Sequence, residues 1–296
     1  MIQLQETGLT ETDIYQFDLN GFLILRNAIP NEVLAEGNAI LDALNKTKPG
    51  EWSGYVHGHF FASANEGLNL QQIYEAGKPF EYLIDNPAWI EKVKHFVGGA
   101  GDFDYNHGPL FIDENFASIR GPGQAIGLHS GGHVGTKRTQ FRYHNGRFQC
   151  GMINILMAFN DIGPGDGATM VVPGSHKSHF QNPQFEMARM DPAKGGSVDG
   201  VEDAIEVHLK AGDALLFVDA LSHGSAKRVN EGERRIVVYR YGPSWGFFRH
   251  PYRPSLELLE RLTPEQRQIV MPHEKVLAPP DCIPATPYHR PLQGEG

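Results

Sequence analysis

Two residues between Leu215 and Tyr241 carry side chains that could do chemistry together. His223 follows an apolar run, and its neutral imidazole can bind a divalent metal. Arg234 lies eleven positions later (234 − 223 = 11) and opens a second apolar run. Its guanidinium fork suits a carboxylate. The two residues on adjoining strands therefore predict a metal site that also holds a small organic acid.

A second candidate metal ligand lies upstream, in the segment IGLHSGGH at Ile126–His133. The non-haem iron facial triad uses two histidines and one carboxylate, and it leaves the other coordination positions open. Its usual local signature is His-x-Asp. Here His129 is followed by Ser130 and Gly131, so the position of the carboxylate has no side chain.

Other side chains could supply the third ligand, and the sequence leaves this open. His133 is one alternative, although two preceding glycines favour a loop. Asp219 is another alternative, although it is better explained as an acid that stabilises a turn at the strand end. Asp113 and Glu114 precede His129 and are further alternatives. His176, in the turn PGSH, is interpreted as a structural hydrogen-bonding residue.

The first hundred residues are predicted to be mainly helical. Hydrophobic spacing and capping residues predict a short helix over Thr12–Gly21 before a strand at Phe22–Leu25, a helix from Asn31 to Leu44, and a helix that begins at Asn86-Pro87 and stops at Gly98-Gly99.

After Gly101 short apolar segments alternate with Gly, Pro and Asp turns, which favours a β-sandwich or jelly roll over a βαβ sheet. The predicted strands are Pro109–Ile112, Cys150–Phe159, Ala168–Val172, Ile205–Leu209, Ala214–Val218 and Ile236–Tyr241. The part from Pro251 onward contains one helical patch, Leu256–Val270, and is interpreted as a wrapping extension.

The chain resembles the phytanoyl-CoA dioxygenase family of Fe(II)/2-oxoglutarate oxygenases. The resemblance covers about residues 14 to 245 and rests on four motifs in order: FDLNGFLIL at Phe17–Leu25, GATMVVPGSH at Gly167–His176, GDALLF at Gly212–Phe217, and His223-Gly224-Ser225 with Arg234. It implies a mainly β fold with α, in which N-terminal helices pack on a double-stranded β-helix (jelly-roll, cupin-like) core. We expect a single domain over 1–296, with a mainly helical part (1–100), the jelly-roll core (101–245) and a C-terminal extension (246–296).

The resemblance also implies the cofactors and the residues that hold them. Fe(II) would be bound by His129 and His223, and Arg234 would pair with the distal carboxylate of the cosubstrate 2-oxoglutarate. Ser225 is a second expected contact to that carboxylate, and Asn154 is a further candidate for a cosubstrate contact. The oxidant would be O2.

Gly131 departs from the family pattern, and it leaves the reaction open. Halogenating members of the superfamily have glycine or alanine at this position, where a halide such as chloride can bind the iron directly. We expect a hydroxylase that acts on an unactivated C–H bond, with a halogenase as the alternative. A non-catalytic jelly-roll binding protein is the third hypothesis.

The composition fits a soluble globular protein, with 40% apolar and 21% charged residues among 296. A net charge of −9 argues against nucleic-acid or anionic-membrane partners. With no visible secretion signal, no apolar run long enough for a bilayer and two cysteines, we expect a cytoplasmic enzyme. Its substrate should be a small molecule, and its oligomeric state is left open. Candidate pocket aromatics and histidine are Tyr55, His57, Phe60, Tyr105, Phe141, Tyr143 and Trp245.

Overall fold

The computed structural model describes residues 8–61, 63–98, 108–246, 248 and 252–272. Its α-helices are α1 (Glu11–Asn20), α2 (Asn31–Leu44), α3 (Lys78–Glu81), α4 (Ile90–Val97), α5 (Phe185–Ala188), α6 (Leu256–Arg261) and α7 (Pro264–Val270). Short 3₁₀ turns lie at Ala64–Glu66, Ile73–Ala76, Lys137–Thr139 and Ser175–Lys177. The strands are β1 (Phe22–Leu25), β2 (Trp52–Ser53), β3 (Val56–Gly58), β4 (Leu68–Gln71), β5 (Leu110–Arg120), β6 (Tyr143–His144), β7 (Arg147–Phe148), β8 (Ile153–Ala158), β9 (Thr169–Val171), β10 (Ile205–Val207), β11 (Ala214–Val218), β12 (His223–Ser225) and β13 (Arg234–Pro243).

The strands form a large and a small antiparallel sheet, with a separate β6–β7 hairpin. The large sheet has eight strands in the order β1-β11-β8-β13-β5-β4-β3-β2, and the small sheet has three in the order β10-β9-β12. From β8 to β13 the chain passes repeatedly between the two sheets, as it does in a double-stranded β-helix. The predicted jelly-roll core is therefore confirmed.

The central strand β13 shows why the helices lie on one face of the large sheet. Its residues alternate, and Tyr239 and Tyr241 point away from the small sheet. The hydroxyl of Tyr239 donates to the carbonyl of Phe80, and the hydroxyl of Tyr241 accepts from the indole N–H of Trp89. Both tyrosines are fully buried. The N-terminal helical segments therefore cover the outer face, and the inner face is left for the site.

Two of the sequence motifs contact each other where α1 passes into β1. Gly21 has a left-handed backbone (φ 82°), and a Cβ there would lie 2.6 Å from Nδ1 of His176. The imidazole Nε2 of His176 is 3.1 Å from the carbonyl oxygen of Asp18, to which it donates. The close approach explains the glycine in the first motif. It also agrees with the structural interpretation of His176.

The main departure from the predicted elements is β5, which continues to Arg120 instead of ending at Ile112. All eleven of its residues are buried, although Asp113, Glu114 and Arg120 are among them. Because these residues are polar, the search for apolar runs ended the predicted strand too early. The first hundred residues also contribute β1 to β4 to the large sheet, so their helical description was incomplete. Among the described residues, no helix is long and apolar enough to cross a membrane.

Candidate metal and cosubstrate site

His129 and His223 are brought together by their backbones. The amide of His129 donates to the carbonyl of His223 at 2.9 Å, and the amide of His223 donates back at 3.0 Å. This isolated antiparallel bridge places the two imidazole ring centroids 4.1 Å apart. Residues separated by 94 positions (223 − 129 = 94) are thus held side by side at the edge of the small sheet.

Both imidazoles are prepared to accept a metal through Nε2. Nδ1 of His129 lies 2.9 Å from the carbonyl oxygen of Gly127, and Nδ1 of His223 lies 2.6 Å from that of Leu221. Because a carbonyl can only accept, each Nδ1 carries the proton and each Nε2 keeps its lone pair.

The surroundings also keep the two rings neutral. Burial lowers the pKa of His223 to about 4. Burial also lowers the pKa of His129 well below its usual range, and the neighbouring His223 adds to this effect. Metal binding requires neutral imidazoles, so the pair is ready for a metal at physiological pH.

A third protein ligand is not part of this arrangement. Within the described ranges, no group of three His, Cys, Asp or Glu side chains could hold a metal ion. Asp219 is instead engaged by the guanidinium of Arg138 and by the amide Nδ2 of Asn154, 3.2 Å away. Asp113 accepts from the backbone amide of Phe248 at 3.1 Å.

The backbone at Gly131 accounts for the missing carboxylate. Its φ of +127° is one that residues with side chains rarely adopt. A Cβ built there would lie 2.6 Å from Nδ1 of His133 and 2.9 Å from the hydroxyl of Ser222. A side chain here would therefore be strained by the backbone conformation, and the side chains of His133 and Ser222 would have to move to accommodate it.

Arg234 is a buried cation with unused donors. Its side chain is 2% exposed, and Nη2 donates to the hydroxyl of Thr169 at 2.8 Å. Its Nε and Nη1 have no hydrogen-bond partner among the residues that the structure describes. Arg120 lies directly opposite on β5. Burial, and then the charge of Arg120, lower the pKa of Arg234. A buried arginine in this state calls for an anion.

Ser225 and Asn154 differ in how close they come to this arginine pair. The hydroxyl of Ser225 accepts from Nη1 of Arg120 at 3.0 Å and from the amide of Ile126 at 2.9 Å. Ser225 also pairs with Thr169 across the small sheet. Asn154 is fully buried and points to Asp219, and its Oδ1 has no partner within the described part of the chain.

One cavity between the two sheets joins the histidines to the arginines. It is lined by Phe116, Arg120, Ile126, His129, Leu156, Thr169, Phe217, His223, Gly224, Arg234, Ile236, Val238 and Arg240. None of the described aromatic or histidine side chains predicted to line the pocket does so, and Tyr105 lies outside the described residues. Phe141 packs instead on His176, with ring centroids 4.5 Å apart.

Sequence reasoning missed three polar residues of this cavity: Arg120, Thr169 and Arg240. A usable signal was present for Arg120 and Arg240. Each is an arginine inside a stretch with strand-like alternation, in DENFASIR and in RRIVVYRY. Buried charged residues in a strand are rare unless they serve a site or a buried ion pair. Thr169 carried no such signal, because threonine is common in strands.

Comparison with known proteins agrees with this geometry. The model of the phytanoyl-CoA dioxygenase (PhyH) family matches residues 17–236. The chain belongs to this family. The resemblance drawn from the motifs is therefore confirmed, and so are iron(II) and 2-oxoglutarate as the cofactors of the family.

Individual relatives extend the comparison. The dioxygenase cdmD of Talaromyces verruculosus is 29% identical over 126 residues, which cover 40% of this chain and 35% of cdmD. The chain thus spans only about a third of the length of the curated relatives it matches. HygX from Streptomyces hygroscopicus, solved with nickel and 2-oxoglutarate bound, gives a TM-score of 0.63 at 23% identity over 85% of this chain and 94% of HygX. The carbocyclase SnoK from nogalamycin biosynthesis gives 0.55 at 16% identity over 87% of this chain and 92% of SnoK. Both structures share the fold.

Proposed function

We propose that this protein is an iron(II)/2-oxoglutarate-dependent oxygenase that hydroxylates an unactivated C–H bond of a small organic molecule. The observation that carries the proposal is Arg234, which lines the same cavity as two neutral histidines and whose Nε and Nη1 have no partner in the described part of the chain. Two histidines without an anion-binding arginine, or the arginine without the histidines, would not favour an iron(II)/2-oxoglutarate oxygenase.

Each side chain has a definite part in the proposal. His129 and His223 would hold the iron through Nε2, and Arg234 would bind the distal carboxylate of 2-oxoglutarate with the hydroxyl of Thr169 fixing its orientation. Ser225 would support that end of the site, since its hydroxyl holds Arg120 in place. Iron(II) with 2-oxoglutarate and O2 supplies an oxidant strong enough for C–H bonds.

The cavity walls contribute by excluding water. Phe116, Leu156, Phe217, Ile236 and Val238 are all buried and give the cavity apolar surfaces from both sides of β13. Fewer water molecules strengthen the interaction between Arg234 and a carboxylate, because the local dielectric is low. They also protect a reactive centre from side reactions.

A halogenase remains the second candidate, and Gly131 is the observation that favours it. Because Gly131 has no side chain, it presents no carboxylate to the metal, and a chloride ion could take that coordination position instead. Asn154 as a cosubstrate contact also remains a proposal.

A small-molecule substrate is supported by HygX, which has been solved with hygromycin B bound. The carbocyclase SnoK has the same fold, so the fold alone does not select hydroxylation.

The first test is the visible absorption of the protein with iron(II) and 2-oxoglutarate under anaerobic conditions. We expect a charge-transfer band that disappears in His223→Ala, which removes a metal ligand, and in Arg234→Ala, which removes the cosubstrate anchor. Arg235→Ala is the matched control, because Arg235 pairs with Asp42 and Glu233 instead of lining the cavity. A wild-type protein without the band would contradict the proposal and favour a binding protein.

Chloride separates the two reactions. A hydroxylase should give the same band with and without chloride, and a halogenase should give a chloride-dependent shift. When oxygen is admitted, both a hydroxylase and a halogenase should form succinate.

A further inference from the structure

A second arginine lies at the other end of the cavity from the cosubstrate anchor. Arg234, Ile236, Val238 and Arg240 alternate along β13 and all line the cavity. Arg240 is six residues beyond Arg234 (240 − 234 = 6), which corresponds to roughly 20 Å along a strand. The backbones of the two arginines therefore lie at opposite ends of the stretch of β13 that lines the cavity, and the proposed cosubstrate site uses only Arg234.

Arg240 is only partly engaged by the protein. Its Nη1 lies 2.9 Å from Oε2 of Glu114, and its guanidinium lies over the ring of Phe116, 5.3 Å from the centroid. Its Nε is buried and has no hydrogen-bond partner among the residues described. A guanidinium has five N–H donors, so one carboxylate on one side leaves capacity for a second acceptor.

Glu114 is fixed independently of Arg240. Its Oε1 accepts from the amide Nε2 of Gln71 at 3.1 Å, and Gln71 in turn donates to Asn69 at 3.0 Å. A carboxylate held in this way neutralises the arginine without turning to cover its other donors. The pair thus resembles a preorganised receptor more than a closed ion pair.

Arg240 is also close to the metal pair. It lines the same cavity as His129 and His223, and its charge contributes to the lowered pKa values of both imidazoles. A group bound at Arg240 would therefore lie beside the position of the metal, which is where the substrate of an oxygenase must be placed.

We infer that Arg240 binds a carboxylate of the organic substrate, so that this end of the cavity selects small organic acids, including amino acids. The inference rests on the proposed function and adds a substrate class to it. In this arrangement Glu114 balances the charge of Arg240 while the cavity holds no substrate. Its negative charge would also oppose the approach of the substrate carboxylate and so weaken its binding.

The inference can be tested with acetate as the probe and acetamide as its uncharged isostere. Each is titrated into the anaerobic protein loaded with iron(II) and 2-oxoglutarate in chloride-free buffer, and the charge-transfer band is followed. We expect a saturable shift with acetate and none with acetamide. Arg240→Gln should weaken acetate binding at least tenfold, and Glu114→Gln should strengthen it several-fold by removing a negative charge that opposes the bound carboxylate. Arg235→Gln, on the opposite face of the same strand, should match the wild type.

The other outcomes contradict the inference. Equal acetate binding in wild type and Arg240→Gln, or no acetate binding in the wild type, would overturn it. Acetate binding that survives Arg240→Gln but is lost in excess chloride would place the anion on the metal instead. If Arg240→Gln fails to fold, the opposite sign expected for Glu114→Gln still decides the matter. Failure of the charge-transfer band itself would count against the proposed function, whereas a normal band that ignores acetate would count against this inference alone.

Discussion

At the scale of single residues, Gly131 lacks the expected carboxylate and also has a backbone conformation that disfavours any side chain. Its φ of +127° and the nearby His133 and Ser222 mean that a side chain would be strained and crowded. We expect Gly131→Asp to lower the free energy of unfolding by about 1–3 kcal/mol and to leave iron affinity no tighter than in the wild type. Denaturant titration and iron(II) titration measure the two quantities.

Gly135→Asp is the matched control for this change. Gly135 lies in the same loop, and a Cβ there would meet nothing within 4 Å. Its substitution should leave stability nearly unchanged. Tighter iron binding in Gly131→Asp than in the wild type would show that the backbone can present a third ligand after all.

Thr169 makes a second prediction at this scale. Its hydroxyl is the acceptor for Nη2 of Arg234, so Thr169→Val leaves a further buried donor without a partner. The expected cost is about 1–3 kcal/mol of stability, with 2-oxoglutarate affinity reduced several-fold because the guanidinium loses its orientation. Thr169→Ser keeps the hydroxyl and should behave like the wild type. The absorption band gives the dissociation constants, and equal values for Val and Ser would contradict the role.

At the scale of elements, the contact between α1 and the turn at His176 predicts a pH dependence. Burial lowers the pKa of His176 from 6.5 to about 4. Between these values the unfolded chain binds a proton that the folded protein does not, so stability is fully present above pH 6.5 and falls as the pH is lowered towards 4. The contribution is about 1.4 kcal/mol per pH unit within that window.

His176→Gln should remove this part of the slope, because glutamine can still donate to the carbonyl of Asp18 but does not titrate. Denaturation at a series of pH values between 4 and 7 measures it. An unchanged slope in the variant would show that His176 does not titrate in the way its burial indicates.

The elements also show what the sequence could and could not predict. β1, α2 and β11 have the predicted bounds because each contains an apolar run or an apolar helical pattern that begins directly after a turn residue, Gly21, Pro30 or Asp213. The strand predicted at the position of β5 was too short, because some of its buried residues are charged and their partners come from distant segments. The two histidines and Arg234 were predicted from motifs, whereas Arg120 and Arg240 become candidates only when the sheet places them in the same cavity.

At the scale of the whole molecule, the site connects the two sheets, and its ligands should stabilise the fold as a unit. Nickel(II) is added first and 2-oxoglutarate second, and each addition should raise the unfolding midpoint. A ligand at 100 times its dissociation constant should increase the free energy of unfolding by about 2.7 kcal/mol. Arg234→Ala should lose only the 2-oxoglutarate increment, and His223→Ala should lose both. Thermal denaturation with each addition measures this, and an increment from 2-oxoglutarate in Arg234→Ala would contradict the anchor.

The overall amino-acid composition did not predict the buried arginines of the interior. The chain is acidic, with a net charge of −9, yet Arg120, Arg234 and Arg240 line one buried cavity. Net charge reports the average of a surface, and a few buried cations hardly change it. The single-domain organisation over 1–296 and the cytoplasmic location stay predictions.

The backbone bridge between His129 and His223 has a consequence for how the protein is supplied with metal. Two amide–carbonyl hydrogen bonds hold the backbones of the two residues side by side. A freshly synthesised chain can therefore fold first and be loaded afterwards, and a lost or wrong ion can be exchanged without rebuilding the pair.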